Sequence, residues 1–234
     1  MDKRALLLTR PQGSAERFAA ALSSDLLDGV KICISPLLEI VPTGLIPDFS
    51  KYSSVIFTSA RAVMLSPKPE GRQAFCVGDR TAKAAEADGW EVAIVARDAE
   101  RLVAAMQSEQ IEGPLIHLAG AHRRGQIAEK MIQFGVQVDV VTLYAQNLLP
   151  LSEEAKELLS GELPVIVPLF SPRTAAQLVN QAPVINCAHF AAISAAVAEI
   201  MRKYDLGHLH IADEPTGGEM TRLVEMLLRK NSLA

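Results

Sequence analysis

The chain has 234 residues, 49% of them hydrophobic and 21% charged, with a formal net charge of −4. That length can bury one large core or two modest ones, and the apolar share is that of a well-filled globular protein. A net acidic balance argues against a general nucleic-acid or membrane-surface binder, so any bound anion must be met by basic residues acting locally.

Cys33, Cys76 and Cys187 are odd in number and form no CxxC pair, so neither a disulfide framework nor a zinc site is expected. A reducing cytoplasm is the natural compartment. The apolar run 5–8 is too short for the core of a signal peptide, and no stretch is long enough to span a bilayer.

In chain order, 5–8 reads as a buried strand ending at Thr9, Arg10 and Pro11. Gly13 and Ser14 can cap a helix carrying Phe18, Ala21 and Leu22 at helical spacing; Gly29 ends it, and 30–35 forms the next strand. This is a βαβ unit, which implies parallel strands. Pro36, Pro42, Gly44 and Pro47 then break the rhythm, and the apolar run 37–41 reads as a connector.

Regular alternation follows, with strands at 54–57, 74–77, 91–95, 115–118 and 136–142. Between them lie a short helix stopped by Pro67 and Pro69, a helix from Asp79 to Gly89, and helices at 98–108 and 123–134. The apolar stretch 143–151 reads as a second connector, ended by a short helix capped at Ser152. Strands 165–170, 189–193 and 208–212 then alternate with helices 173–180, 195–205 and 218–230. The fold class is α/β, with two doubly wound parallel-sheet domains. A discontinuous first domain (1–36 plus 152–234) accepts an inserted one (48–142), with connectors 37–47 and 143–151 side by side.

The most informative stretch is Val55-Ile56-Phe57-Thr58-Ser59-Ala60-Arg61, where a buried strand ends in a hydroxyl pair as a helix begins. Such a corner aims hydroxyls and backbone N–H groups at one place, which suits an anion. A weaker copy runs from Val165 to Phe170-Ser171-Pro172-Arg173-Thr174. An internal repeat supports this layout, because Gly78 to Ala96 and Ser194 to Ala212 are equally spaced, with Gly89 and Gly207 between them; repetition by α/β geometry alone is the competing reading. Two such domains facing each other would hold a negatively charged ligand between them.

Ligands of open α/β sheets gather at the carboxyl ends of strands. Here those ends carry Thr9, Arg10, Thr58, Ser59, Arg61, Gly78, Thr81, Ala119, Gly120, Arg123, Arg124, Ser171, Arg173, Ser194, Thr216 and Gly217. The set is rich in hydroxyls, glycine and arginine and poor in catalytic acids, which suits carboxylates or phosphates. Helix capping alone is the competing reading of each corner. No P-loop, no Gly-x-Gly-x-x-Gly after a strand and no Gly-x-Ser-x-Gly elbow is present, so nucleotide binding and that hydrolase chemistry have no anchor.

His208 and His210 alternate on a strand, but without a third ligand nearby an edge strand explains them better than a metal. His117 reads as a hydrogen-bonded core histidine, His122 as an exposed one, and Trp90 as a packing residue. Glu153 and Glu154 answer a helix dipole. Tyr144 falls at the head of the second connector, outside any strand, so its hydroxyl is expected to reach a cleft and donate a hydrogen bond to a leaving group. Core packing competes with that role.

Taken in order, several motifs together resemble the uroporphyrinogen-III synthase family. They are Thr9-Arg10-Pro11, Pro36-Leu37-Leu38-Glu39-Ile40, Phe57-Thr58-Ser59-Ala60-Arg61-Ala62-Val63, Val77-Gly78-x-x-Thr81-Ala82, Val141-Thr142-Leu143-Tyr144, Phe170-Ser171-Pro172 and Ala212-x-x-Pro215-Thr216. The resemblance implies two flavodoxin-like domains joined by a two-stranded ladder. It also implies a cofactor-independent, metal-free lyase of haem and other tetrapyrrole biosynthesis. Such a lyase dehydrates hydroxymethylbilane, a linear tetrapyrrole with eight carboxylates, and closes the ring through a spiro intermediate with inversion of ring D. On this reading Tyr144 assists departure of the hydroxyl, and Arg10, Thr58, Ser59, Arg61, Gly78, Thr81, Ser171, Arg173 and Thr216 hold carboxylates. A monomer is expected, in transient contact with the enzyme that makes the substrate. Ser194-Ala195-Ala196-Val197 departs from the family's Gly-x-x-Thr, and Leu169-Phe170-Ser171 from its Phe-Thr-Ser. Those departures leave open a weak or inactive relative that binds anions or tetrapyrroles as a regulatory module.

Overall fold

The computed structural model describes residues 4–123, 125–182, 184–204 and 208–230. Arg124 and Gly207, both named above, lie outside the described residues. The chain divides into two compact units, Met1–Glu39 with Asn147–Ala234, and Ile40–Gln146.

The chain opens with β1 (Arg4–Leu8), α1 (Gln12–Ala20) and β2 (Val30–Ile34), and β3 (Leu38–Pro42) leads into the second unit. There follow β4 (Ser54–Phe57), α2 (Ala60–Leu65), β5 (Gln73–Val77), α3 (Asp79–Ala87), β6 (Glu91–Ala96), α4 (Ala99–Ser108), β7 (Leu115–Gly120), α5 (Ile127–Gln133) and β8 (Val138–Leu148). The return to the first unit brings α6 (Glu153–Ser160), β9 (Val165–Leu169), α7 (Pro172–Gln181), β10 (Ala188–Ala192), α8 (Ala195–Arg202), β11 (His208–Ile211) and α9 (Gly217–Lys230).

The first unit's five-stranded sheet has the order β2-β1-β9-β10-β11, all parallel. Counted along its own chain this is 2-1-3-4-5, the flavodoxin-like order. The second unit's sheet runs β3-β8-β7-β4-β5-β6, with β4 to β8 parallel. Laid over the first, β8-β7-β4-β5-β6 takes the places of β2-β1-β9-β10-β11, so the two sheets share a layout while the chain enters at different strands. In this layout β5–α3–β6 is the counterpart of β10–α8–β11, the two segments with equal spacing in the sequence.

Both sheets are covered on both faces, so their strands are continuous apolar runs rather than alternating ones. In β1, Leu6 and Leu8 pack with Phe18, Met220 and Leu227, while Ala5 and Leu7 meet Leu159, Leu178 and Val197. In β4, Val55 and Phe57 pack under α2 and α3 with Trp90, and Ile56 faces Leu102, Met106 and Met131. Trp90 is a packing residue, its ring edge-on to Phe57 at 5.0 Å and to Phe49 at 6.0 Å. Each such side chain removed from water contributes about 1.5–3 kcal/mol. The buried Cys33 and Cys76 belong to these cores, and burial pushes their thiols up to about 11 and about 12. Neither is a thiolate at neutral pH.

Three segments differ from the sequence reading. Residues 38–42 form strand β3 rather than a bare connector, and β8 does not stop at 142 but continues to Leu148. Thr43 N–H donates to the Leu143 carbonyl and Leu149 N–H to that of Leu37, the ladder that the resemblance implied. Helix α5 begins at Ile127 rather than 123, and Gly125, at φ +79°, has a backbone that no helix continues through.

Candidate functional site

In the second unit the site grows from the end of β4. Ser59 leaves the strand with φ −156° and ψ 141°, and its Oγ accepts the Ala62 N–H at 3.1 Å, capping α2. The same oxygen lies 3.0 Å from the Tyr144 hydroxyl. One residue earlier, Thr58 Oγ1 lies 3.3 Å from Nε2 of His117, which the β4–β7 register places opposite Ile56. The hydroxyl pair therefore reaches two different neighbours: a phenol and an imidazole.

Tyr144 is not at the head of a connector. It lies inside β8, 6% exposed, within the apolar cluster of Phe57, Trp90 and Leu143. Its direction comes from an irregularity in the ladder, where Ala119 faces Thr142 but Gly120 faces Tyr144. Leu143 is thus an extra residue, and a bulge of this kind re-aims the side chain that follows it. Leu143 and Tyr144 are both buried, which a regular strand with one covered face would not give. Core packing and a polar contact are both true of Tyr144.

His117 is a buried, hydrogen-bonded core histidine, as its strand position suggested, but its Nδ1 has no partner. Burial, with the Arg123 charge adding to it, pushes the imidazole down to about 4. It is neutral at physiological pH, with a single hydrogen-bonding edge, and that edge meets Thr58. The sequence shows the His; only the register shows its partner.

Gly78 turns the chain into α3 with φ +82°, a conformation that glycine supplies without strain. Its N–H donates to the Ala96 carbonyl at 2.8 Å, and its own carbonyl accepts from Thr81 and Ala82. Thr81 is buried in the first turn of α3, and Arg61 is half-buried in that of α2. His122 and Arg123 are exposed, with Arg123 paired to Glu129 at 3.4 Å.

In the first unit the matching corner closes β9. Ser171 has φ −154° and ψ 148°, and its Oγ accepts the Thr174 N–H at 3.1 Å. Its hydroxyl also contacts Thr174 Oγ1 at 2.8 Å, and that oxygen donates to the Ser171 carbonyl. With Thr174 Oγ1 donating to the Ser171 carbonyl, the Ser171 hydroxyl is left to point at Thr174 within its own turn. Phe170 carries the Arg10 guanidinium 3.9 Å above its ring and meets Phe18 edge-on. Stacking on an aromatic face fixes the plane of the fork. Arg173 sits in the first turn of α7, and exposed Thr216 accepts the Glu219 N–H at 3.2 Å, capping α9.

Ser194 starts α8 from an extended φ of −160° where Gly78, in the equivalent place, takes +82°, and neither supplies a side-chain cap. His208 and His210 lie on β11, the sheet's edge strand, with His189 stacked on His208 at 4.8 Å. Among the described residues no group of His, Cys, Asp and Glu is arranged to hold a metal ion, and no helix is long and apolar enough to cross a membrane. A cavity of about 340 Å³ beside α9, walled by Ile211, Asp213, Arg222 and Met226, contains none of the expected site residues.

No curated protein sequence matches the chain significantly. Among solved structures, the uroporphyrinogen-III synthetase of Helicobacter pylori superposes with a TM-score of 0.68 at 16% identity, over 96% of this chain and 99% of that one. A mutant uroporphyrinogen III synthase of the extremely thermophilic bacterium Thermus thermophilus superposes with a TM-score of 0.59 at 13% identity, over 97% and 99%. At these identities the likeness shows the fold. The family model described as uroporphyrinogen-III synthase HemD matches residues 16–222, which reaches into both units and includes the corners at Ser59, Gly78, Ser171 and Ser194. On that match the chain belongs to the uroporphyrinogen-III synthase family.

Proposed function

We propose that this chain is a working uroporphyrinogen-III synthase, a lyase that closes hydroxymethylbilane to uroporphyrinogen III with loss of water and inversion of ring D. The observation that carries this reading is the pairing of Ser59 Oγ and the Tyr144 hydroxyl at 3.0 Å. Either hydroxyl can donate in this pair; on this reading Ser59 is the donor, its oxygen accepting the Ala62 N–H and its proton directed at the phenol oxygen. That arrangement leaves the phenol proton for a leaving group. Protonation by Tyr144 releases the terminal hydroxyl as water and leaves an azafulvene cation. Attack by the substituted carbon of ring D then gives the spiro intermediate.

The substrate ionises readily and closes unaided to the uninverted isomer, so the enzyme's main task is to hold a flexible polyanion in one geometry. Thr58, Arg61, Thr81 and the backbone N–H groups that follow Gly78 are assigned carboxylates in the second unit. Arg10, Ser171, Arg173 and Thr216 are assigned others in the first, Ser171 by turning its hydroxyl from Thr174 to the ligand. A net acidic chain tolerates this, because each contact is a local hydrogen bond or Arg fork rather than a broad field.

The test supplies freshly made hydroxymethylbilane to the purified chain and resolves the oxidised products into isomers I and III. Isomer III in excess of the unaided reaction is expected. Isomer I alone, from a folded sample, sinks the proposal and leaves a binding module of the same fold.

A further inference from the structure

We infer that Gly120 is a positioning residue for Tyr144, a flat place at the end of β7 on which the phenol lies so that its hydroxyl stays on Ser59. The inference rests on the reading of Tyr144 just given. A glycine can be required by its backbone or by its neighbours, and position 120 separates the two. Its φ is not in the left-handed region, unlike Gly78 at +82°, so any L residue could adopt its backbone. The obstacle is contact. A Cβ at 120 would stand 2.6 Å from both Cε2 and Cζ of Tyr144 and 2.9 Å from its hydroxyl oxygen. Gly78, by contrast, has nothing within 4 Å of such a Cβ.

Carbon atoms in ordinary contact stand about 3.5–4.0 Å apart, so a methyl group at 120 would push the phenol about 1 Å aside. The atoms struck are those at the reacting end of the ring. The backbone cannot follow to relieve the contact, because Gly120 pairs with Tyr144 across the bulge and Ala121 N–H donates to the Tyr144 carbonyl at 2.9 Å. Displacement therefore falls on the side chain, and a 3.0 Å bond to Ser59 lengthened by that much is no longer a hydrogen bond. A 1 Å misplacement of a group acting on the reacting atoms can cost up to about a hundredfold in rate.

The test is Gly120→Ala in the full chain, followed by formation of isomer III, beside Tyr144→Phe and the double variant. The expected result is about a tenfold loss of kcat with KM within about twofold, a larger share of isomer I, and no further loss from Gly120→Ala once Tyr144 is Phe. A loss of equal size in both backgrounds would overturn the inference, since Gly120 would then act by another route. With ¹³C-labelled tyrosine, the Cζ resonance that Tyr144→Phe removes should shift in both Gly120→Ala and Ser59→Ala; an unmoved resonance in Gly120→Ala also overturns it. Should Gly120→Ala fold poorly, Tyr144→Ala must restore its melting temperature by removing the struck ring, and failure to do so counts against the contact. The resonance and melting arms need no substrate, so a protein that makes no isomer III would end the proposed function while these arms still decide the role of Gly120.

Discussion

The two strand-to-helix corners at Ser59 and Ser171 share a backbone and differ in everything beyond it. Their φ and ψ agree within a few degrees, and each hydroxyl accepts the N–H three residues on at 3.1 Å. Past the cap, Ser59 reaches Tyr144, whereas Ser171 turns back to Thr174. The preceding residues diverge in the same sense: Thr58 meets a buried imidazole, and Phe170 carries a guanidinium. One kind of corner thus leads to a hydroxyl pair with a buried phenol in one unit and to a guanidinium stacked on an aromatic ring in the other. The cap is what the two corners share; the second bond of each hydroxyl is where the units part.

The comparison breaks most visibly in acid, since only the second unit's corner rests on a deeply buried imidazole. His117 is held down to about 4, below the ordinary value of 6.5. Below pH 6.5 the unfolded chain binds a proton that the folded chain refuses, so stability is full above that pH and falls as pH drops toward 4. The loss amounts to about 3 kcal/mol across that window. His189 and His210, also lowered by burial, act in the same direction in the first unit. Urea unfolding at a series of pH values checks this. His117→Gln, whose amide can donate to Thr58 without titrating, should flatten the dependence, and an unchanged slope would remove His117 from the account.

Activity divides the corners next. Tyr144→Phe keeps the ring on Gly120 but removes its proton, so kcat for isomer III should fall by about tenfold to a hundredfold with KM nearly constant. The residual rate reflects an easily ionised substrate. Ser59→Ala and Ser171→Ala then sharpen the comparison, because each loses a cap worth about 1 kcal/mol and their melting temperatures should drop alike. Only Ser59→Ala should also lower kcat, by several-fold. Equal kinetic losses from the two would show that capping, not the bond to the phenol, is what matters.

Much of this was legible in the sequence, and the failures share a cause. Covered parallel strands read as unbroken apolar runs, and Gly, Pro, Ser and Asp mark where helices begin and end, so the alternation of β and α needed no tertiary information. The strand-end hydroxyls were visible for the same reason. The ladder of β3 and β8 reads as connector in the sequence because prolines and a change of period disguise strands whose pairing is with distant residues. Tyr144 was placed outside a strand because the bulge at Leu143 puts two successive residues in the interior, where alternation would put one. Gly120 and the Thr58–His117 pair depend on β7 lying against β4 and β8, an adjacency that no local pattern states. Propensity reports what a residue does to its own segment; a site is built from what it does to another.

The smallest expected effect concerns the second pair of equivalent corners, Gly78 and Ser194. Gly78→Ala meets open space, so its cost comes only from holding an L residue at φ +82°, about 1 kcal/mol. Ser194 starts its helix from extended backbone without a side-chain cap, so Ser194→Ala should change stability by less than about 0.5 kcal/mol. Ser194→Gly is the sharper probe. It offers the first unit the residue that the second one uses, yet an extended φ gains nothing from glycine, and the added freedom of the unfolded chain should make the variant slightly less stable. Thermal unfolding of the three variants decides the matter. A stabilised Ser194→Gly would mean that the α8 corner is drawn toward the left-handed turn of its counterpart, and that the serine there carries strain rather than a settled alternative.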